Sequence, residues 1–205
     1  MWICWKPNVT FPALYPYFYF MIKKLSFLSF IFAAVILSSC HSKRAVMKGQ
    51  PGEVVAPAHS IAEKYAQILG VDPSQIQNGR LYAFIDQWLG TPYKFGGQDH
   101  DGIDCSGLSQ LLEQEVYAIN LPRTTSQQVL VIKRKYEEEL QEGDLVFFDY
   151  DGRKFGHVGV YLQNGYYVHA GSKGVAIVKL RDTYMYKYFS RCGSVSNASD
   201  TPAGK

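Results

Sequence analysis

The stretch DHDGIDCSGLSQLL (Asp99–Leu112) sets one cysteine between an acidic, glycine-bearing loop and the start of a helix. Asp104 is a residue type that caps helix N-termini, and Cys105 follows it at the first helical position. The unpaired N–H groups there, with the positive end of the helix dipole, favour a thiolate. The same N–H groups can hold an oxyanion as a carbonyl is attacked. Gly96, Gly97 and Gly102 let the loop bend close to a substrate, and Gly107 keeps the helix start uncrowded. The pattern suits a nucleophile. A packed core thiol and a metal ligand are alternatives that this stretch alone leaves open.

A thiol nucleophile needs a base, usually histidine, with a third group to orient it. Of the five histidines, His41, His59 and His100 lie in polar tether or loop; His41 and His59 read as surface residues, and His100, close to Cys105 in sequence, has no strand or helix to fix it. His157 and His169 fall in segments of strand character. A two-residue turn at Asn164–Gly165 would pair Val160 with His169 and send the two rings to opposite faces. A three-residue turn, with Gly165 left-handed and a G1 bulge, pairs Gly159 with His169 instead. Both rings then share one face as diagonal neighbours, and Gly159 leaves room for the ring. On that register His157 is the base and His169 orients and polarises it. A Cys-His-His zinc site is the competing reading, although it lacks a clear fourth ligand.

The elements that must position these groups can be read from periodicity. Ile61, Tyr65, Ile68 and Leu69 recur at helical spacing, as do Leu81, Phe84, Ile85 and Trp88 before Gly90 and Pro92. Leu108, Leu111, Leu112, Val116 and Ile119 form the apolar face of a helix beginning at Cys105. TTSQQVLVI suggests a short fourth helix. From Gly143 the character changes: DLVFFDY, HVGVYL, YYVHA and VAIVKL are short, β-branched or aromatic, and separated by turn residues. Helices followed by a meandering antiparallel sheet make an α+β domain.

The 205-residue chain is 47% hydrophobic and 19% charged, enough for a packed core. Its formal net charge of +3, without a long basic run, argues against a nucleic-acid partner. MIKKLSFLSFIFAAVILSSC, from Met21 to Cys40, has the lysines, apolar run and small-residue end of an export signal. Its ending LSSC resembles a lipobox, which makes Cys40 the expected lipidation site. Residues 1–39 are therefore expected to be an N-terminal extension plus signal peptide, with Met21 as the true start. Residues 40–58 then form a lipid-anchored tether, 59–193 the catalytic domain and 194–205 a disordered tail. No acidic residue follows Cys40, so the outer membrane, facing the periplasm, is the expected location. A Gram-positive source would place the protein on the outer face of the plasma membrane. Cys192 is expected to be a buried small hydrophobe, unpaired with Cys105.

The segments LGTPYKFGG, GIDCSGL, LPRTTSQQ, GDLVFF, GHVGVYL and YYVHA occur in this order. Together they resemble the motif series of the NlpC family of bacterial cell-wall cysteine peptidases, in particular its small lipoprotein murein endopeptidases. The resemblance runs from about Leu81 to Arg191. It implies a papain-like α+β fold, with the cysteine helix packed on an antiparallel sheet. It implies a catalytic cysteine, histidine and third polar residue at Cys105, His157 and His169, with no metal and no organic cofactor. By the same resemblance Tyr93 binds or polarises the scissile carbonyl, and Asp104 and Ser106 hold polar groups of the substrate. Arg123 either faces the groove or makes a structural ion pair. The implied activity is hydrolysis of peptidoglycan stems by a monomer, at D-glutamyl–diaminopimelate or diaminopimelate–D-alanine bonds. An amidase or acyltransferase on the same scaffold, and a non-catalytic wall-binding lipoprotein, are the alternatives. One departure concerns targeting: residues 41–78 are too few for a wall-binding domain of the bacterial SH3 type.

Overall fold

The computed structural model describes residues 55–195. The export signal, Cys40, residues 41–54 of the tether and residues 196–205 of the tail lie outside them. Helix α1 (His59–Leu69) buries Ala62, Tyr65, Ala66 and Leu69 along one stripe. It stops at Gly70, whose φ of +65° returns the amide to the Ala66 carbonyl. Helix α2 (Gly79–Trp88) is capped by Asn78, whose side chain accepts from the Leu81 N–H at 3.1 Å. The last tether residues are part of the domain, in contrast to the expectation: the Val55 carbonyl accepts from Gly79 N–H at 2.7 Å. Only glycine fits there, since a Cβ on residue 79 would lie 2.5 Å from that oxygen.

The loop after α2 contains a small two-stranded ribbon, β1 (Gln98–Asp99) with β2 (Gly102–Ile103). Helix α3 (Cys105–Tyr117) follows it directly. Its end comes earlier than the apolar spacing through Ile119 suggested. Ala118 turns left-handed at φ 61°, and the Ile119 N–H folds back to the Glu113 carbonyl. Helix α4 is a single turn, Thr125–Gln128.

Six strands build one antiparallel sheet in the order β3-β8-β4-β5-β6-β7. They are β3 (Ile132–Lys135), β4 (Leu145–Tyr150), β5 (Arg153–Tyr161), β6 (Tyr166–Gly171), β7 (Gly174–Lys179) and β8 (Phe189–Val195). Period-two alternation gives the sheet two buried faces. Leu145, Phe147, Val158, Val160, Val168 and Ala170 pack with Leu108, Leu112 and Val116 of α3. Val146, Phe148, Tyr167 and Cys192 pack on the other side with Leu180 and Met185, beneath a 3-10 turn at Tyr184–Tyr188. Cys192 is buried in this second cluster as a free thiol, as expected of a small hydrophobe.

Strands β3 and β8 were not anticipated. Ile132-Lys133-Arg134-Lys135 is charged because β3 is an edge strand, where lysines discourage further pairing. In β8, Ser194 and Val195 pair with Lys133 and Ile132, so the strand runs two residues into the expected tail. Gly193 permits the close approach, since a Cβ there would sit 2.2 Å from the Lys133 carbonyl oxygen.

Candidate active site

The start of α3 is built around Asp104. Its Oδ1 accepts from the Gly107 N–H at 2.7 Å, which is the capping bond, and its Oδ2 accepts from Gly96 N–H at 2.8 Å. Arg123 adds a two-pronged contact: Nη1 to Oδ1 at 2.9 Å and Nη2 to Oδ2 at 2.8 Å. Nη1 also donates to Ser106 Oγ at 2.8 Å. Of the two readings of Arg123, the geometry takes the ion pair. Burial pushes the Asp104 carboxyl up, but the Arg123 fork and the Gly107 and Gly96 amides outweigh it. The net result lies below the ordinary carboxylate value. Gly107 has the role expected of it, since a Cβ there would be 2.8 Å from the Gly97 carbonyl oxygen.

Gln128 completes this scaffold and was missed by sequence reasoning. It is fully buried; its Nε2 donates to the Ser106 and Pro122 carbonyls, and its Oε1 accepts from Ser109 Oγ. It ties the Pro122–Arg123 segment to the first turn of α3. Its only trace in the sequence is a position inside the LPRTTSQQ segment, where polar neighbours conceal it.

The histidines come together through the β5–β6 hairpin. The ladder pairs Val160 with Val168 and Tyr161 with Tyr167, which is the register that puts His169 opposite Gly159. The turn that produces it differs in detail from the expected one. Asn164 and Gly165 both have positive φ, 51° and 77°, as in a type I′ turn. Tyr166 N–H closes that turn on the Gln163 carbonyl, while Leu162 N–H donates to the Tyr166 carbonyl. Leu162 and Gln163 thus together oppose Tyr166, a one-residue bulge that restores the register. Asn164 can pay this conformation because its side chain donates to the Leu69 carbonyl at 2.6 Å, docking the turn on the end of α1.

His157 Nε2 and His169 Nδ1 are 2.8 Å apart. That contact leaves no space between the two nitrogens for a zinc ion, which needs about 2.0–2.1 Å to each. Gly159 leaves room for the Tyr167 ring, not for a histidine, since a Cβ there would be 2.5 Å from Tyr167 Cδ2. The glycine that accommodates His169 is Gly171, where a Cβ would be 2.8 Å from His169 Cε1. Upstream of His157 the strand is irregular. Phe155 holds a φ of 52°, and its N–H donates to Asp149 Oδ1 at 2.9 Å. Burial, and for His157 the neighbouring His169, hold both imidazoles below their ordinary pKa, so the pair is neutral at pH 7.

Cys105 adjoins this pair. The β5–β6 ladder ends at the Val160–Val168 pair, and the Val158 N–H, next to His157, bears on the Cys105 sulfur with the Ser106 and Cys105 amides. These donors favour a thiolate, as the helix start predicts. Burial is the larger effect, however, and the thiol ends above its ordinary value. The thiol is thus pushed up by burial while the two imidazoles are pushed down by it, so burial opposes the thiolate that the helix start favours. Iodoacetamide alkylation, followed by mass spectrometry on the Cys105 peptide, is expected to keep accelerating above pH 9.0. A plateau at about pH 5–7 would instead reveal a preformed thiolate. Tyr93 bridges to Ile103 beside Cys105 and is 41% exposed. Burial first, with the nearby Cys105 and Asp104 adding to it, raises its phenol, which stays a hydrogen-bond donor.

Residues 90–194 match the NlpC/P60 family. The "Murein DD-endopeptidase MepS/Murein LD-carboxypeptidase" of Escherichia coli K12 is 30% identical over 176 residues, covering 82% of this chain and 91% of that one. The "Probable endopeptidase NlpC homolog" of Haemophilus influenzae is 39% identical over 112 residues, covering 54% of this chain and 59% of its own length. The fold is that of solved NlpC/P60 domains. A Staphylococcus aureus protein described as similar to lipoprotein, NLP/P60 family, superposes with TM-score 0.52 at 24% identity, over 71% of this chain and 45% of that one. Helices packed on one face of an antiparallel sheet, a cysteine at a helix start and this match across half the sequence place the chain in the NlpC/P60 family, with its papain-like α+β fold.

Proposed function

We propose that this chain is a cysteine-type peptidoglycan endopeptidase, held at the bacterial envelope by a lipid on Cys40. The observation that carries the reading is the His157–His169 contact of 2.8 Å next to a cysteine at a helix N-terminus. His157 uses Nε2 toward His169, which leaves Nδ1 as the nitrogen free to take the thiol proton. For Nδ1 to be the base, His157 must carry its proton on Nε2 and donate it to His169 Nδ1. His169 then holds its own proton on Nε2.

In the proposed reaction Cys105 Sγ attacks the scissile carbonyl as its proton passes to His157 Nδ1. The tetrahedral oxyanion is held by backbone N–H groups at the start of α3, with Tyr93 as a further donor. The imidazolium, stabilised by His169, then protonates the departing amine. Water, deprotonated by His157, hydrolyses the thioester and restores the thiol. Asp104, Ser106 and Arg123 act through the loop and helix start that they lock together, since their polar atoms are engaged with one another.

The name of the Escherichia coli relative that aligns over most of this chain favours the crosslink, diaminopimelate–D-alanine, over the D-glutamyl–diaminopimelate bond. The Met21–Cys40 segment supports the lipid anchor and an outer-membrane location facing the periplasm. The test is a digest. Full-length protein in detergent and its Cys105→Ala variant are incubated with defined monomeric and crosslinked muropeptides, and the products are weighed by mass spectrometry. Cleavage by wild type alone is expected, with the product masses naming the bond. No cleavage by folded wild type would favour a different acyl substrate or a wall-binding role. Cleavage by Cys105→Ala would overturn the cysteine mechanism.

A further inference from the structure

The surface next to His157 is aromatic, and the proposed reaction does not use it. Tyr150, at the end of β4, turns its ring edge to His157, with centroids 6.5 Å apart. Tyr188 meets Tyr150 at 5.7 Å, and Tyr184 meets Tyr188 at 6.4 Å, both edge-on. The Tyr184 and Tyr150 hydroxyls are 3.3 Å apart. Lys187 Nζ lies 4.8 Å from the Tyr188 ring centre and 5.9 Å from that of Tyr184. Tyr184 is 64% exposed and Tyr150 37%. Among the described residues Lys187 makes no ion pair.

The position of this group along β5 matters. Cys105 bears on the Val158 amide, on the C-terminal side of His157. Tyr150 pairs with Arg153, on the N-terminal side. His157 therefore stands between the nucleophile and the tyrosines. In acyl transfer the acyl half of a substrate stays on the sulfur, and the amine half leaves past the group that protonates it. Here that group is His157.

We propose that Tyr150, Tyr184, Tyr188 and Lys187 form the subsite for the amine half of the substrate, with Lys187 taking a free carboxylate on the amine-side residue. The inference rests on the peptidase reading above. In the D-glutamyl–diaminopimelate bond and in the crosslink between D-alanine and diaminopimelate alike, the amine-side residue is diaminopimelate, which carries such a carboxylate. The tyrosine rings cover its backbone, and their hydroxyls supply further donors. An ammonium already resting on two aromatic faces is held in place before substrate arrives.

The experiment compares two stem peptides that differ only in the amine-side carboxylate, free in one and a carboxamide in the other. Full-length wild type is expected to cleave the acid with kcat/KM about tenfold higher or more, as for a hydrogen bond to a charged group. Lys187→Gln is expected to bring the ratio to within about twofold, and Lys187→Glu to invert it. Tyr184→Ala is expected to raise KM for both peptides more than it lowers kcat. Both side chains are exposed, so the variants should fold, which circular dichroism checks. A wild-type ratio near one, or a ratio that survives Lys187→Gln, would overturn the subsite while leaving the peptidase reading intact. Cleavage of neither peptide by wild type would overturn both.

Discussion

His157→Ala is expected to reduce kcat/KM for stem-peptide hydrolysis by about 10⁴-fold, and His169→Ala by about 10²-fold. The difference follows from where each ring sits. His157 moves the proton; His169 fixes which nitrogen of His157 is free to do so, through the 2.8 Å contact. His169→Asn keeps an oxygen that can accept the His157 Nε2–H, and it is expected to recover part of the loss. A second readout separates positioning from packing. Burial first, then His169, holds the His157 imidazole below its ordinary value. Deleting the His169 ring opens the pocket and removes that neighbour, so the His157 value rises. The acid limb of kcat/KM should therefore move toward neutral pH in His169→Ala. Equal activity and an unmoved acid limb in both variants would remove the histidines from the mechanism.

Asp104→Ala is expected to destabilise the fold by about 3–5 kcal/mol, read from urea unfolding. The substitution removes the cap of α3, the acceptor for Gly96 N–H and the partner of a guanidinium whose side chain is 32% exposed. The double variant Asp104→Ala with Arg123→Met is expected to lose less, because no charge is left unpaired. The pH dependence has a definite sign. The Asp104 carboxyl is depressed in the folded state relative to its ordinary 3.8, so its stabilisation is present above that value. The advantage of wild type over Asp104→Asn should fade as pH falls below 3.8 through the folded-state value. Additive losses in the double variant would show that Asp104 and Arg123 act independently.

What could be read early in this protein is local. A capping aspartate and the cysteine it precedes are neighbours in the chain, and the capping bond reaches only to Gly107. The helices and four of the strands announce themselves because apolar side chains must recur at the period of the backbone that carries them. Parity does the same for the two histidines. A side-chain period of two allows them a common face only if the hairpin register sums one way, and the structure has that register.

What escaped the sequence depends on contacts between distant segments. Strands β3 and β8 have weak patterns of their own, and each becomes a strand because the other, and β4, offer backbone partners. The turn at Asn164 takes its shape from a carbonyl at the end of α1, 95 positions away. Gln128 is a scaffold residue only because α4 folds back onto the cysteine helix. The state of Cys105 shows the reason most directly. Amides at a helix start are a local feature and argue for a thiolate. The burial that opposes them comes from packing between α3 and the sheet, and in the free protein it prevails.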